Sequence, residues 1–142
     1  MSQNDTDFMV GLVQQVPALA TSTFVTLTPK PVSPDIPSPL PYALIHPTPG
    51  VDEQTRLTGP PSTEHPEFTI HLAGESAEQC QVATDLLKAQ VMPDGFGVIP
   101  EVAGRRNQHM FWRQPIPIQT NTDLTPPLCF AVVETGWTSD PA

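Results

Sequence analysis

"EFTIHLAGESAEQCQVATDLLKAQV", residues 67–91, changes its hydrophobic period halfway along, and that change decides the fold class. In the first half Phe68, Ile70 and Leu72 alternate with Glu67, Thr69 and His71, the pattern of a half-buried strand. After Gly74 the spacing lengthens. Cys80, Ala83, Leu86, Leu87 and Val91 then share a broad apolar helix face, with Glu78, Gln81, Asp85 and Lys88 opposite. Ser76 and Gln79 have the spacing of a capping box, which places the start of the helix just after the turn. A strand and a helix that each bury one side belong to one sheet-and-helix core.

The neighbouring segments extend that core. In "DLTPPLCFAVVETGW", residues 123–137, Leu128 to Val133 is apolar on both faces, which predicts a central strand covered on each side by helices or by another subunit. Pro126 and Pro127 read as punctuation at its mouth, because proline lacks a donor and is confined to strand starts, edges and bulges. At the other end, Phe8, Met9, Leu12, Val13 and Val16 lie at helical spacing behind Asn4, Asp5 and Asp7, which suit a first helical turn; Gly11 weakens this helix and Pro17 ends or kinks it. "TSTFVTLT" and "YALIH" read as strands. Residues 29–41 form a proline-rich connector, and 47–66 an extended loop or hairpin arm. A short strand is expected at Val98 and Ile99, and "PIPIQ" is an edge-strand candidate. The fold class is therefore α+β: one mixed or antiparallel sheet flanked by two helices, with long proline-rich loops.

Composition sets the bounds. A chain of 142 residues is one domain, 1–142, and a domain of that size buries roughly 68–70% of its unfolded surface. Six Lys and Arg against 15 Asp and Glu give a net charge of -9, which opposes stable nucleic-acid binding because few cations could release condensed counterions. "MSQNDTDF" lacks the layout of a signal peptide and no apolar run approaches bilayer length, so a cytoplasmically made protein without a membrane partner is expected. Cys80 and Cys129 stand apart without metal spacing and read as small core hydrophobes.

"GESAE" resembles a nucleophile elbow, and Asp85 or Asp94 followed by His109 would complete a hydrolase triad around Ser76. Glu78 stands where the elbow needs glycine, and the capping box already accounts for Ser76. His46, His65, His71 and His109 have no ligand spacing, "GFG" at 95–97 lacks the third glycine of a dinucleotide loop, and no phosphate loop occurs. No catalytic residue, cofactor or metal is expected. What stands out is "GRRNQHMFWR", which gathers Arg105, Arg106, His109, Phe111, Trp112 and Arg113 into one loop of an acidic chain. Arginine and tryptophan favour protein interfaces, and a basic loop complements copies of the same chain or an acidic partner. A solvated loop with Phe111 and Trp112 tucked into the core is the other reading. Asp52, Glu53 and Arg56 in the 47–66 arm are further candidate contact residues.

From Tyr42 to Trp137 the chain resembles the tail terminator proteins of long-tailed bacteriophages, especially those of actinobacterial hosts. The resemblance rests on the order of "LPYALIHPTPG", "EFTIHLAGESAEQCQVATDLLKAQV", "GRR" and "TDLTPPLCFAVVETGW". It departs from the family ahead of the paired prolines, where Asp123 is the one acid of a usually more acidic stretch. Membership would imply an α+β subunit that assembles as a homo-hexameric ring at the head-proximal end of the tail of the virion, after synthesis in the host cytoplasm. Its implied partners are the major tail tube protein and the head-tail connector, with DNA passing through the lumen without specific binding. Another neck or head-completion subunit, and a small serine hydrolase, are the alternatives.

Overall fold

A computed structural model of the chain describes residues 3–26, 40–48, 63–121 and 128–141. Helix α1 (Gln3–Gln14) is followed by a single 3-10 turn, Pro17–Leu19, and strand β1 (Thr23–Val25). Next come β2 (Tyr42–Thr48), β3 (Glu67–Gly74) and helix α2 (Ala77–Val91). The C-terminal third supplies β4 (Arg105–Asn107), β5 (Phe111–Arg113), β6 (Gln119–Asn121), β7 (Leu128–Gly136) and β8 (Ser139–Pro141). The α+β expectation holds. The sheet runs β1-β2-β3-β7-β5, with β6 also on β7; β1 is parallel to β2 and the other pairs are antiparallel. A second, two-stranded sheet joins β4 to β8.

The strand at 67–72 and its helix form as their periods dictate. Phe68, Ile70 and Leu72 are buried while Thr69 and His71 are half-buried. Ser76 caps α2: its Oγ accepts from the Gln79 amide at 3.1 Å, and the Gln79 side chain reaches back to accept from the Glu75 amide at 2.6 Å. Both helices cover the same side of the sheet. Met9 and Val13 of α1 and Cys80, Leu87 and Val91 of α2 pack over Ile45, Ile70, Leu72, Ala131 and Val133. Each such aliphatic side chain contributes about 1.5–3 kcal/mol on burial. Trp137 closes the end of this core, stacked on Phe68 at 5.6 Å and edge-on to Phe8 at 5.7 Å.

Four local expectations change. Leu86 does not join the buried face of α2: it is 44% exposed, and Thr84 is buried instead because its hydroxyl donates to the Cys80 carbonyl at 2.8 Å within the helix. β7 is central as expected, and among the described residues the helices cover one of its faces. Cys129, Ala131, Val133 and Thr135 are buried, whereas Leu128, Phe130, Val132 and Glu134 are half-buried on the other. Val98 and Ile99 form no strand. The Val98 amide donates to Val91 and its carbonyl accepts from Met110, so the segment straps the end of α2, and Pro100 has no donor with which to extend a ladder. "PIPIQ" joins the sheet only from Gln119, since Pro115 and Pro117 cannot donate to β7. "GRRNQHMFWR" is not a single loop: it contains β4 and β5, which belong to different sheets. Pro126, Pro127 and most of the 29–41 and 47–66 segments lie outside the described residues.

Candidate interaction surface

The stretch from Gly104 to Arg113 divides its side chains between structural work and solvent. Gly104 turns the chain with a φ of 77°, a value that favours glycine, and sends Arg105 into β4 opposite β8. There the Arg105 guanidinium donates through Nε to Ser139 Oγ and through Nη2 to the Ser139 carbonyl, both at 2.8 Å, with Glu64 Oε2 3.8 Å away. Arg105 thus pins the two-stranded sheet to the end of the 47–66 segment, where Glu64 also bridges Ser139 and Thr63 donates to Asp140 at 2.8 Å. Arg106, one residue on, is exposed. Asn107 is buried and donates to the Pro100 carbonyl at 2.8 Å. Exposed His109 meets the Gly97 carbonyl through Nδ1.

β5 splits the two aromatic residues. Trp112 lies opposite Thr135 and packs half-buried against the helix-side core, as the core reading of this stretch expects. Phe111 and Arg113 alternate with it and face the other side of the sheet. Phe111 is 39% exposed, while Arg113 pairs with Glu134 across the β5–β7 ladder and keeps its side chain 66% exposed. An ion pair so open to solvent contributes little, about 0–1 kcal/mol. Phe111 therefore does not enter the core. Asp52, Glu53 and Arg56 lie outside the described residues.

The triad weighed around Ser76 is not assembled. Ser76 begins α2 and His109 sits on Gly97 beside its far end, where Val98 bonds to Val91. Fifteen helical residues, about 22 Å, lie between them. Burial, and then the proximity of Cys129, push the Cys80 thiol up to about 11, and its Sγ donates to the Leu72 carbonyl at 3.1 Å. That is the environment of an inert core thiol. Cys129 is likewise buried and free.

The sheet face away from the helices has its own character. Tyr42, Leu44 and Ala73 are buried there beneath Phe24, Leu40 and Phe130, with Phe24 edge-on to Tyr42 at 6.3 Å. Burial pushes the Tyr42 phenol up. His46 and His71 meet edge-to-face at 5.2 Å, and burial followed by the His46 charge holds His71 below the usual histidine range. Among the described residues no group of three His, Cys, Asp or Glu side chains could hold a metal ion, and no helix is long and apolar enough to cross a membrane. Sequence reasoning missed Ser139 and Glu134 as the partners of Arg105 and Arg113, since nothing local marks residues 34 and 21 positions apart as neighbours.

No protein-family model and no curated protein sequence matches the chain. Solved structures do share its fold. A chain from the virion of a native gene transfer agent particle superposes with a TM-score of 0.55 at 11% identity, covering 97% of this chain and 99% of that one. A second solved chain gives a TM-score of 0.52 at 14% identity, with 97% and 96% covered.

Proposed function

We propose that this chain is a structural virion subunit, a tail terminator that forms a ring on the head-proximal end of a phage tail tube. The observation that carries the reading is the end-to-end likeness of fold to a gene transfer agent virion chain, in which almost nothing of either chain is left over. The order of motifs from Tyr42 to Trp137, which resembles that of tail terminators, supports the narrower reading. In this role the ring ends tube polymerisation and offers its upper surface to the head-tail connector, with the major tail tube protein below.

Physical considerations agree with that role. A folded chain of 142 residues has a radius of gyration of about 14 Å, too small to encircle a duplex alone, so a passage for DNA requires several copies. A net charge of -9 lets DNA slide through without being held. The work of such a subunit is contact rather than turnover, in keeping with a Ser76 committed to a helix cap.

The reading is tested by adding purified protein to tail tubes and imaging by electron microscopy. Rings at one end of tubes, and tubes of uncontrolled length when the protein is withheld during assembly, are the expected results. A protein that ignores tubes and attaches to DNA-filled heads would instead be a neck or head-completion subunit.

A further inference from the structure

The helix-free face of the sheet brings together two imidazoles that the sequence keeps far apart. His46 stands opposite Thr69 in the β2–β3 ladder and His71 opposite Leu44, so the two histidines are diagonal neighbours on one face. Their rings meet at a centroid distance of 5.2 Å with an interplanar angle of 82°. Both are half-buried, and among the described residues neither has a hydrogen-bond partner. Four ring nitrogens are thus gathered in one small region without a protein group to satisfy them.

The spacing is that of two ligands on one metal ion. With a zinc–nitrogen bond of about 2.0–2.1 Å, tetrahedral bond angles and about 1.1 Å from nitrogen to ring centre, two imidazoles on one zinc have centres about 5 Å apart. Rotation about χ2 turns a nitrogen of either ring toward the gap without moving the backbone. β2 and β3 are interior strands already fixed by their ladder, so binding orders little more than two side chains.

The surroundings select the kind of ion. Burial and then the His46 charge hold His71 below the usual histidine range, so its lone pair is available at neutral pH. Leu44 and Val132 flank His71 in the ladder and offer no side-chain oxygen to a hard cation. The Glu134 carboxylate, diagonal to His71, is taken up by Arg113. A site whose protein ligands are imidazoles suits zinc, nickel or copper(II) rather than magnesium or calcium.

We infer that His46 and His71 form a two-imidazole site for a divalent transition metal ion of the zinc class, with water completing its coordination. The bound ion ties β2 to β3. The site is independent of the virion reading above, and neither stands or falls with the other.

Calorimetric titration of the full-length chain with zinc chloride, with urea unfolding in parallel, tests it. Saturable zinc binding and a urea midpoint raised by zinc but unmoved by magnesium are expected. H46Q and H71Q each keep a polar side chain and lose one ligand, so each should bind zinc about tenfold or more weakly and lose the zinc-dependent rise. H109Q, which removes an exposed histidine elsewhere, should behave as the unmodified chain does. Circular dichroism verifies folding. Should a glutamine variant unfold, ring proton resonances of the unmodified chain decide instead, with those of His46 and His71 shifting at lower zinc than those of His65 and His109. Equal zinc affinity in H46Q and H71Q, an unmodified chain that zinc does not stabilise, or ring shifts confined to His65 and His109 would overturn the site.

Discussion

Replacing Gly97 by alanine should destabilise the protein substantially, although the position is a small residue in an irregular strap. Its φ is ordinary, so what the site demands is space. A Cβ there would lie 1.8 Å from the Met110 carbonyl oxygen and 2.6 Å from the carbonyl carbon, and both are backbone atoms that cannot swing aside. The two segments cannot simply separate, because Val98 donates to Val91 at 2.8 Å, Met110 donates to Val98 at 2.9 Å, and buried Met110 belongs to the core. Overpacking of this kind costs typically about 1–3 kcal/mol, and a backbone clash belongs near the upper end. The loss of chain freedom in the unfolded state offsets about 0.4–1 kcal/mol of it. The net expectation is about 2 kcal/mol, or a melting temperature lower by roughly 6–8 °C for a chain of this length. Gly11 is the internal control. It is exposed within α1 and an added Cβ meets nothing within 4 Å, so G11A should stabilise by about 0.5–1 kcal/mol. Urea unfolding of the two variants reads both signs at once. A G97A protein as stable as the unmodified chain would refute the packing argument for the strap.

The adjacent arginines should separate cleanly: R105A loses two charge-assisted hydrogen bonds to Ser139 and is expected to lower stability by roughly 2 kcal/mol, whereas exposed R106A should stay within about 0.5 kcal/mol, both read from urea midpoints. S76A should cost about 0.5–2 kcal/mol through the lost cap, read from thermal melts, and a glycine at the same position should recover most of it. His71 gives a pH dependence. Its folded-state value is lowered by burial and by His46, so as the pH falls the unfolded chain takes up a proton first, and the stabilisation present above the ordinary histidine value of about 6.5 is lost as the pH drops through it toward the lower folded value. Tyr42 and His46 on β2 and Glu134 on β7 are the charged or titratable groups at the ladder positions diagonal to His71 on that face. H71Q should flatten the fall in urea midpoint across that window, and an unchanged slope would remove His71 as its source.

How far the sequence carried is best judged residue by residue. The alternation of Phe68, Ile70 and Leu72 and the Ser76–Gln79 cap were legible because they depend on neighbours within one turn or one pleat. The same local reading misassigned Leu86: helical spacing admits a wide apolar arc, and only the position of α2 over β3 and β7 decides which part of the arc is covered. For the candidate surface, the enrichment of "GRRNQHMFWR" was visible. Its division into a half-buried pin at Arg105, a core-facing Trp112 and an outward Phe111 was not.

By itself, then, the sequence determined the α+β class, the order of the main strands and helices, and the acidic balance that disfavours adhesion to nucleic acid. Tertiary structure alone decided that both helices lie on one side of the sheet, that Gly97 is pressed against Met110, and that Val82 and Leu86 of α2 are left exposed. The physical reason is range. Periodicity and capping are set by covalently near residues, whereas burial depends on which distant segment arrives on which face, and pairs such as Arg105 with Ser139, 34 residues apart, meet only once the chain has closed on itself.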